Sequence, residues 1–270
     1  MIKAIVTGAC GRMGGRIISI IAETKEMELA GAVEQKGHPA VGRDVGEGLG
    51  LGQTGILIVD SLESCIEAGD VVIDFTYHES SMQHLRIAAN AKKAIVIGST
   101  GFTVKEMAEA RNIAGSARCV ISPNMSVGVN VMFKALSDVA AILGDDYDVE
   151  IVEAHHHLKK DAPSGTALKM AEVIAQSLGR DLEETGVYCR RGIIGERSPG
   201  EIGIQTVRAG DIVGEHTVIF GGMGERLEFI HRAHSRDNFA RGAIRAALWV
   251  TGRPNGLYDM QDVLGLKKVS

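Results

Sequence analysis

The sequence predicts an α/β protein with two domains: a doubly wound parallel sheet, and a second α+β domain with an open mixed or antiparallel sheet. In the first half of the chain, short and almost wholly apolar runs such as 71–75 alternate with helical segments, which is typical of parallel strands covered by helices on both faces. Beyond residue 130 the order changes to helix, strand, helix and then three β-rich runs. Glycine-containing links at 209–211 and 221–224 separate those runs, and we interpret them as the turns of an antiparallel meander.

Each element is predicted from the spacing of its apolar residues. The first helix repeats apolar side chains at Met13, Ile17 and Ile21, and Ser235 stands where it could cap the last helix. The predicted strands are 2–7, 28–34, 71–75, 93–98, 118–122, 147–154, 201–208, 211–220 and 226–233, and the predicted helices are 11–23, 79–90, 104–115, 131–143, 166–178 and 236–250.

We expect the two domains to be joined near residues 122–130. The first domain would comprise residues 1–126 together with 236–270, because the last helix could pack back on the parallel sheet. Residues 127–235 would form the second domain, to which we assign substrate binding and oligomerisation.

Composition argues against several classes of protein. The 270 residues are 45% hydrophobic and 23% charged, with a formal net charge of -5, which is ordinary for a soluble globular protein and disfavours a nucleic-acid partner. Cys10, Cys65, Cys119 and Cys189 are scattered without metal-binding spacing, as free thiols in a reducing compartment are. The chain shows neither a signal peptide nor an apolar run of membrane-spanning length, so we expect a cytoplasmic protein with no membrane partner.

A glycine-rich segment between the first strand and the first helix predicts a Rossmann-type nucleotide site. Gly8, Gly11 and Gly14 allow a tight turn whose backbone N–H groups can approach a pyrophosphate. Glu34 ends the second strand about 20 residues on, where a carboxylate accepts a hydrogen bond from a ribose hydroxyl. The alternative, a plain glycine turn, does not account for the position of Glu34.

Two later loops follow strands of the same predicted sheet. They are 98–102 and 122–126, and open parallel sheets bind ligands at the carboxyl ends of their strands. A cofactor contact is therefore expected at both loops. The alternatives are an ordinary strand-to-helix connection for the first loop and an interdomain linker for the second.

The run 155–167 is the most informative segment of the chain. It places three imidazoles and two ammonium groups just before Ser164, Gly165 and Thr166, at a predicted helix start. Histidine titrates near neutral pH, and lysine can carry fixed charge or donate a proton. Backbone N–H groups at a helix N-terminus bind carboxylates or phosphates. The run therefore predicts an active site for an acidic small molecule.

Two other interpretations of this run are weaker. One is a solvated basic loop, which does not explain the adjoining helix start. The other is a metal site built from His155, His157 and Asp161, but the spacing is unlike that of known zinc motifs and the lysines would repel a cation. We expect no metal, and we expect Asp161 to make a hydrogen bond that fixes the loop.

Several other polar residues are interpreted as structural. We expect three histidines on or beside predicted strands to be satisfied structural residues, three arginines in a polar segment to be solvated, and one cysteine to lie in the core. These are His216, His231 and His234, then Arg190, Arg191 and Arg197, and Cys119.

The segments 8–14, 155–167 and 208–216 together resemble the dihydrodipicolinate reductase family, and the resemblance covers essentially the whole chain. Every fixed position of the motif H-H-x-x-K-x-D-A-P-S-G-T-A is present from His155 to Ala167. The resemblance implies a Rossmann-type cofactor domain and a second domain whose open sheet builds a homotetramer. It also implies hydride transfer from NADH or NADPH to a cyclic, unsaturated imine dicarboxylate in the diaminopimelate route to lysine.

The same resemblance implies roles for individual residues. His155 and Lys159 would be the proton-donating pair, and His156 would bind the substrate carboxylates together with the Ser164, Gly165 and Thr166 helix start. The implied cofactor contacts are Gly8, Ala9, Cys10, Gly11, Arg12, Met13, Glu34, Gly98, Ser99, Thr100, Ser122, Pro123, Asn124 and Met125.

One departure from the family pattern bears on the cofactor. In many relatives an arginine follows the acidic residue that ends the second strand, whereas here Gln35 follows Glu34, and Lys36 and Arg12 are the nearest cations. A bidentate arginine–phosphate contact is stronger than a contact with a lone lysine. We therefore expect NADH to be used at least as well as NADPH.

Two other functions stay open at this point. One is a different two-domain reductase acting on another small acid, and the other is a non-catalytic nucleotide sensor. His155, His156 and Lys159 argue against the sensor, because a sensor has no need of a proton donor.

Overall fold

The computed structural model describes residues 1–267, and its contacts divide the chain into two compact units. Among the described residues, the first unit comprises Met1–Val127 and 236–267, and the second is Gly128–Ser235. Residues 268–270 of the predicted first domain lie outside the described residues.

The strands are β1 Ile2–Thr7, β2 Met27–Val33, β3 Ile58–Val59, β4 Val71–Asp74, β5 Ala94–Ile97, β6 Arg118–Ile121, β7 Asp148–His155, β8 Gly186–Val187, β9 Ile202–Arg208, β10 Gly214–Gly222, β11 Glu225–Ala233 and β12 Gly256–Tyr258. The helices are α1 Arg12–Glu23, α2 His78–Asn90, α3 Val104–Ala114, α4 Val127–Leu143, α5 Gly165–Ser177, α6 Leu182–Thr185, α7 Asp237–Val250 and α8 Met260–Val263.

The first unit contains a 7-stranded, wholly parallel sheet in the order β12-β6-β5-β4-β1-β2-β3. Every residue of β4 and β5 is buried, and these strands are rich in Val and Ile, whose branched side chains favour a pleated surface. Helices α1 and α7 cover one face of the sheet, and α2 and α3 cover the other. The predicted doubly wound sheet is confirmed, and Cys119 is fully buried in it as expected.

Helix α7 packs on α1 and on β5. Gly242 permits a close approach, because a Cβ there would lie 1.8 Å from the carbonyl oxygen of Met125. The predicted cap at Ser235 is wrong, since the N-cap position is Arg236. The first turn is stabilised instead by Asp237, whose carboxylate suits a helix N-terminus and accepts from Arg16 Nε at 2.6 Å.

The carboxyl ends of the parallel strands are level with one another. Thr7 pairs with Val33 on one side and with Asp74 on the other, and Asp74 pairs with Ile97. β1 lies between β2 and β4. The chain runs from β1 through β2 and β3 to one edge of the sheet, and then crosses back to β4 on the other side of β1. The crevice at such a reversal is where open α/β sheets bind their ligands.

The second unit contains a 5-stranded sheet in the order β11-β10-β7-β9-β8. The predicted meander is wrong, because β7 lies between β9 and β10 and pairs with β9 in parallel. Only β10 and β11 form a hairpin. The link 209–211 is not a hairpin turn; it crosses the end of β7, where Ala209 N donates to His155 O at 2.9 Å and His157 N donates to Gly210 O at 3.2 Å.

One face of this second sheet is covered by α4 and α5, and buried apolar residues fill the space between them. The opposite face carries Val207 and Ile230, which are 43% and 48% exposed. The segment Val127–Asp146, which contains α4, is long and apolar enough to cross a membrane by length and composition alone. Its residues Phe133 and Leu136 belong to the core of this unit.

The expectation of solvated arginines is wrong for Arg190 and Arg197. Arg190 donates from Nη1 and Nη2 to Glu150 at 2.8 and 2.7 Å and also to Glu201 at 2.5 Å. Arg197 donates to the carbonyl oxygen of Glu201 at 2.6 Å. Both arginine side chains are partly buried, and both form ion pairs with acidic residues on β7 or beside β9. The planar guanidinium fork suits the paired oxygens of a carboxylate. Arg191 is exposed, as expected.

Candidate active site

The glycine turn of the first unit lies between β1 and α1. Gly8 has a φ of 65°, in the left-handed region that glycine adopts without strain. A Cβ on Gly14 would lie 2.0 Å from Gly8 O, so α1 packs directly on the turn. Gly11 is the N-cap of α1 and adds no side chain in front of the first helical N–H groups. Such a turn offers a pyrophosphate both backbone donors and a helix N-terminus.

Glu34 lies against this turn. Its Oε2 accepts from Cys10 N at 3.0 Å and its Oε1 accepts from Gln35 N at 2.9 Å. The end of β2 is thereby tied to the turn, and a carboxylate is held where a ribose diol would be bound. Desolvation and the charge of Glu34 raise the pKa of the Cys10 thiol. Cys10 and Arg12 are exposed.

A cavity of about 640 Å³ opens beside the turn, and Gly8, Glu34, Thr76 and His84 are among its walls. This volume lies within the range of cofactor sites in proteins. The glycine turn, the cavity and the carboxylate at its rim together fit the adenosine part of a dinucleotide.

A buried carboxylate that the sequence analysis missed holds His84 in this cavity. Asp74, the last residue of β4, is fully buried and lies 2.5 Å from His84 Nδ1, and it accepts from Thr76 Oγ1 at 2.7 Å. Burial alone would raise the pKa of Asp74, but the hydrogen bonds with His84 and Thr76 lower it. Its position was a usable signal, because a lone acid ends an otherwise wholly apolar strand.

The two later loops lie at the same edge of the sheet, but several of their residues pack or form hydrogen bonds within the protein. A Cβ on Gly98 would lie 2.3 Å from the ring of Phe75. Ser99 is buried with its hydroxyl 2.7 Å from Ser81 Oγ, whereas Thr100 is exposed. In the loop after β6, Ser122 Oγ donates to Asn124 O at 2.9 Å.

Four other predicted cofactor residues also differ in their exposure. Met125 is only 1% exposed and belongs to the hydrophobic core, so it can reach a ligand only through its backbone. Ala9 is likewise buried, and Met13 packs against the same core. Pro123 is exposed.

In the second unit, β7 ends at His155, whose Nδ1 lies 2.6 Å from Glu153 Oε2. Glu153 is fully buried, and Arg208 on β9 donates to it from Nη1 and Nη2 at 2.8 and 2.9 Å. The buried face of β7 carries Val149, Ile151, Glu153 and His155 in alternation. A charged residue in an apolar series of this kind needs a partner, and this was the signal for Glu153 in the sequence.

The carboxylate of Glu153 is ionised at neutral pH. Burial alone would raise its pKa, but hydrogen bonds with His155, Arg208 and the Ser164 N–H lower it to about 2. With Nδ1 of His155 engaged by this carboxylate, Nε2 is the ring nitrogen available to a ligand. Gly214 keeps the space beside it open, because a Cβ there would lie 3.1 Å from Nε2.

Ser164 is the N-cap of α5 and is buried. Its Oγ accepts from Ala167 N at 3.2 Å, and its own N–H donates to Glu153 Oε1 at 3.0 Å. Its hydroxyl is therefore engaged in capping the helix. Gly165 is exposed, a Cβ there would have nothing within 4 Å, and the first turn holds no acidic residue. The open start of this 13-residue helix is suited to an anion.

The loop between β7 and α5 carries the lysine of the motif. Lys159 Nζ lies 2.9 Å from Asp161 Oδ1. Partial burial opposes ionisation of Asp161, but the Lys159 ammonium lowers its pKa. Asp161 thus makes the loop contact expected of it, in the form of an ion pair. His156 is half-buried, and the exposed His157 donates from Nδ1 to Gly210 O at 2.8 Å.

His216 on β10 completes the cluster. Its Nε2 lies 3.1 Å from Ser164 Oγ, and its ring stands edge-on to His155 with centroids 5.2 Å apart. Burial and the neighbouring His155 lower the pKa of His216 to about 3, so it is neutral at pH 7. Its Nδ1 is buried without a hydrogen-bond partner among residues 1–267, so only one of its nitrogens is satisfied, where we expected both.

Models of the two halves of one enzyme match nearly the whole chain. The model for the N-terminus of dihydrodipicolinate reductase matches residues 2–125, and the model for its C-terminus matches residues 128–264. The 4-hydroxy-tetrahydrodipicolinate reductase of Syntrophus aciditrophicus (strain SB) is 66% identical over 99% of this chain and 100% of its own. The enzyme of the same name from Syntrophobacter fumaroxidans is 60% identical over the same shares.

The chain belongs to the dihydrodipicolinate reductase family.

Members of this family are pyridine-nucleotide-dependent oxidoreductases of lysine and diaminopimelate biosynthesis, and this chain is a reductase of that kind. Among solved structures, the dipicolinate-bound dihydrodipicolinate reductase of Paenisporosarcina sp. TG-14 shares its fold with a TM-score of 0.77. That protein is 26% identical, and the match covers 97% of this chain and 98% of the other.

The residues expected from the family motifs fall into two groups, one in each unit. The cofactor group surrounds the carboxyl edge of the parallel sheet, and the substrate and proton-donor group surrounds the end of β7 and the start of α5. The sequence analysis missed the residues that hold these groups in place. They are Asp74 and His84 in the first unit, and Glu153 and Arg208 in the second, whereas His216 was expected as a structural residue.

Proposed function

We propose that this reductase converts 4-hydroxy-tetrahydrodipicolinate to tetrahydrodipicolinate, with protonation by His155 and Lys159. The observation that carries the proposal is the engagement of His155 Nδ1 by the ionised Glu153, 2.6 Å away. When a histidine held in this way is protonated, its second proton is on Nε2, at the end of a strand and beside an open helix start, where it can be donated.

The dicarboxylate substrate is bound, on this proposal, by His156 and by the backbone N–H groups of Gly165 and Thr166. The exposed start of α5 supports this assignment. The planar dicarboxylate dipicolinate in the Paenisporosarcina relative supports the class of ligand. Arg208 neutralises Glu153, so the buried carboxylate leaves no net charge to repel a dianion.

NADH or NADPH supplies the hydride when bound. The backbone from Gly8 to Met13 would bind the pyrophosphate and Glu34 the ribose, with further contacts from the loops 98–100 and 122–125. Addition of a hydride to a conjugated imine leaves negative charge on the substrate, which a positioned acid quenches. His155 and Lys159 would serve as that acid, and Lys159 would then exchange its contact with Asp161 for one with the substrate.

We propose that NADH is used at least as well as NADPH. Glu34 would repel a 2′-phosphate, Gln35 brings no positive charge, and the nearest cations, Arg12 and Lys36, are exposed side chains. The values of kcat/KM for the two coenzymes on the same substrate test this expectation, and a clear preference for NADPH would overturn it.

A cytoplasmic homotetramer is the assembly we propose. The open face of the second sheet, with Val207 and Ile230 exposed, supports burial of that face between copies of the chain. Light scattering coupled to gel filtration tests the subunit count, and cell fractionation tests the location.

One assay separates the proposal from its alternatives. NADH oxidation is followed with 4-hydroxy-tetrahydrodipicolinate generated enzymatically in the cuvette. Turnover supports the proposal. Turnover only with another small acid would indicate a different reductase, and nucleotide binding without turnover of any acid would indicate a sensor.

A further inference from the structure

Glu153 is the most fully hydrogen-bonded carboxylate described in the second unit, and its contacts extend beyond His155. It is fully buried, so it cannot touch a substrate. Its oxygens are contacted from three different elements of the fold. Its donors are His155 Nδ1 at 2.6 Å, Ser164 N at 3.0 Å, Thr206 Oγ1 at 3.2 Å and Arg208 Nη1 and Nη2 at 2.8 and 2.9 Å.

The two oxygens serve different parts of the site. Oε2 faces the ring of His155, and Oε1 accepts from the N–H of Ser164, which is the N-cap of α5. One rigid carboxylate therefore contacts both the proposed proton donor and the residue that starts the proposed anion-binding helix. A bond between an imidazole N–H and a carboxylate fixes the tautomer and the orientation of the ring.

Arg208 makes this arrangement possible in a buried position. Its fork neutralises the carboxylate with two parallel bonds. Its Nη2 also donates to the carbonyl oxygen of Asp161 at 2.6 Å, which ties the loop carrying Lys159 to the same centre.

We propose that Glu153 is a positioning residue that sets the ring of His155 and the start of α5 in one geometry, and thereby governs both kcat and KM. The inference rests on the proposed function, which assigns proton donation to His155 and carboxylate binding to the start of α5. Glu153 acts only through these groups.

The charged and titratable groups around His155 come from every neighbouring element. Glu153 lies on the same strand, Arg208 on β9, His216 on β10 and Lys159 in the following loop. His216 is neutral at pH 7, and Arg208 stays charged. Loss of the Glu153 charge therefore removes an anion that lies 2.6 Å from Nδ1 of the His155 ring.

The decisive variant is Glu153→Gln, which keeps the size and removes the charge. We expect kcat to fall about 10- to 100-fold and KM to rise several-fold. The alkaline limb of the kcat profile should move to lower pH, because the protonated imidazole loses its counter-ion. Thr206→Val is the matched control, since it removes the longest contact to the same carboxylate and keeps the charge. Its kcat, KM and pH profile should match those of the parent.

A second measurement does not depend on turnover, and its result for the parent protein does not depend on the folding of any Glu153 variant. Two-bond 1H–15N spectra of 15N-histidine-labelled parent protein, assigned by comparison with His155→Gln, report which ring nitrogen of His155 carries the proton. We expect Nδ1–H in the parent, with a changed pattern in Glu153→Gln, and dipicolinate titrated as a probe should bind Glu153→Gln more weakly.

An unprotonated Nδ1 in the neutral parent ring would overturn the inference. So would a Glu153→Gln protein that loses thermal stability while its kcat, pH profile and histidine spectrum stay those of the parent. If the spectra behave as expected and the parent does not reduce 4-hydroxy-tetrahydrodipicolinate, the proposed function fails and the positioning of His155 by Glu153 stands.

Discussion

Each unit of the molecule buries a carboxylate that contacts a histidine, and the surroundings of the two pairs differ. Asp74 lies 2.5 Å from His84 and accepts from hydroxyl groups, among them Ser81 Oγ at 3.0 Å. Glu153 lies 2.6 Å from His155 and is held by the guanidinium of Arg208. Both carboxylates are fully buried.

The difference lies in charge compensation. The guanidinium of Arg208 balances the charge of Glu153, so this carboxylate adds no net negative charge beside His155. A carboxylate compensated by hydroxyls and a histidine keeps negative potential beside its cavity, which suits a ligand rich in hydroxyl donors, such as a ribose. On the proposed function, the same pair of residue types would serve an acidic substrate in one unit and a nucleoside in the other.

The largest expected effect separates the two histidines. His155→Ala should lower kcat by about 10²–10⁴-fold, because a positioned acid contributes that much to the rate. His84→Ala should instead raise the Kd for NADH, because His84 lines the cavity of the first unit. Steady-state kinetics and fluorescence titration with NADH measure the two effects.

The exposed His157 provides the control for this pair, and His157→Ala should retain the parental kcat. Unchanged turnover in His155→Ala would show that the acid has been assigned to the wrong residue.

The next effect concerns Arg208, the cation that contacts Glu153. Arg208→Met should destabilise the fold by about 3–5 kcal/mol, because it leaves Glu153 buried without compensation. Asp74→Asn should cost about 1–3 kcal/mol, since it removes one partner from a set of buried hydrogen bonds. Free energies of unfolding in urea measure both.

Arg86→Met is the control, because Arg86 pairs with Glu109 at an exposed site and such pairs contribute at most about 1 kcal/mol. An Arg208→Met protein as stable as this control would remove the distinction between the two pairs.

The pH dependence of stability sharpens the comparison further. The pKa of Glu153 falls from 4.5 to about 2 on folding. Its contribution, on the order of 3 kcal/mol, is therefore present above pH 4.5 and is lost as the pH falls towards 2. The difference in unfolding free energy between the parent and Glu153→Gln should shrink over that range.

His216 also makes the fold less stable as the pH falls, but over a higher pH range than Glu153. Its pKa falls from 6.5 to about 3 because it is buried, so its protonation in the unfolded chain weakens the fold as the pH falls below 6.5. Parent and His216→Asn proteins that lose stability equally between pH 6.5 and 4 would contradict this account.

The smallest effect tests the helix start. Thr166→Pro removes one backbone donor in the first turn of α5, where proline is compatible with a helix. We expect KM for the dicarboxylate to rise about tenfold, in line with one charge-assisted hydrogen bond. Thr166→Ala keeps the N–H and should change KM far less. Equal KM values for the two variants would show that this N–H does not bind the substrate.

The sequence by itself determined the parallel sheet of the first unit. Its buried strands are apolar along their whole length, and the glycines of the turn after β1 are required by contacts within the same short segment. The motif from His155 to Ala167 is likewise local, so its helix start could be predicted from Ser164 and the residues after it.

Only the tertiary structure decided how the second sheet is ordered and what surrounds His155. Hydrophobic periodicity shows which face of a strand is buried, but it does not show which strand lies next to it, and β7 separates β9 from β10. Arg208 and Glu153 are 55 residues apart in the chain, and Ser164 and His216 are 52 apart. Contacts over such separations depend on strand pairing, because each side chain finds its partner only after the sheet has brought the two strands together.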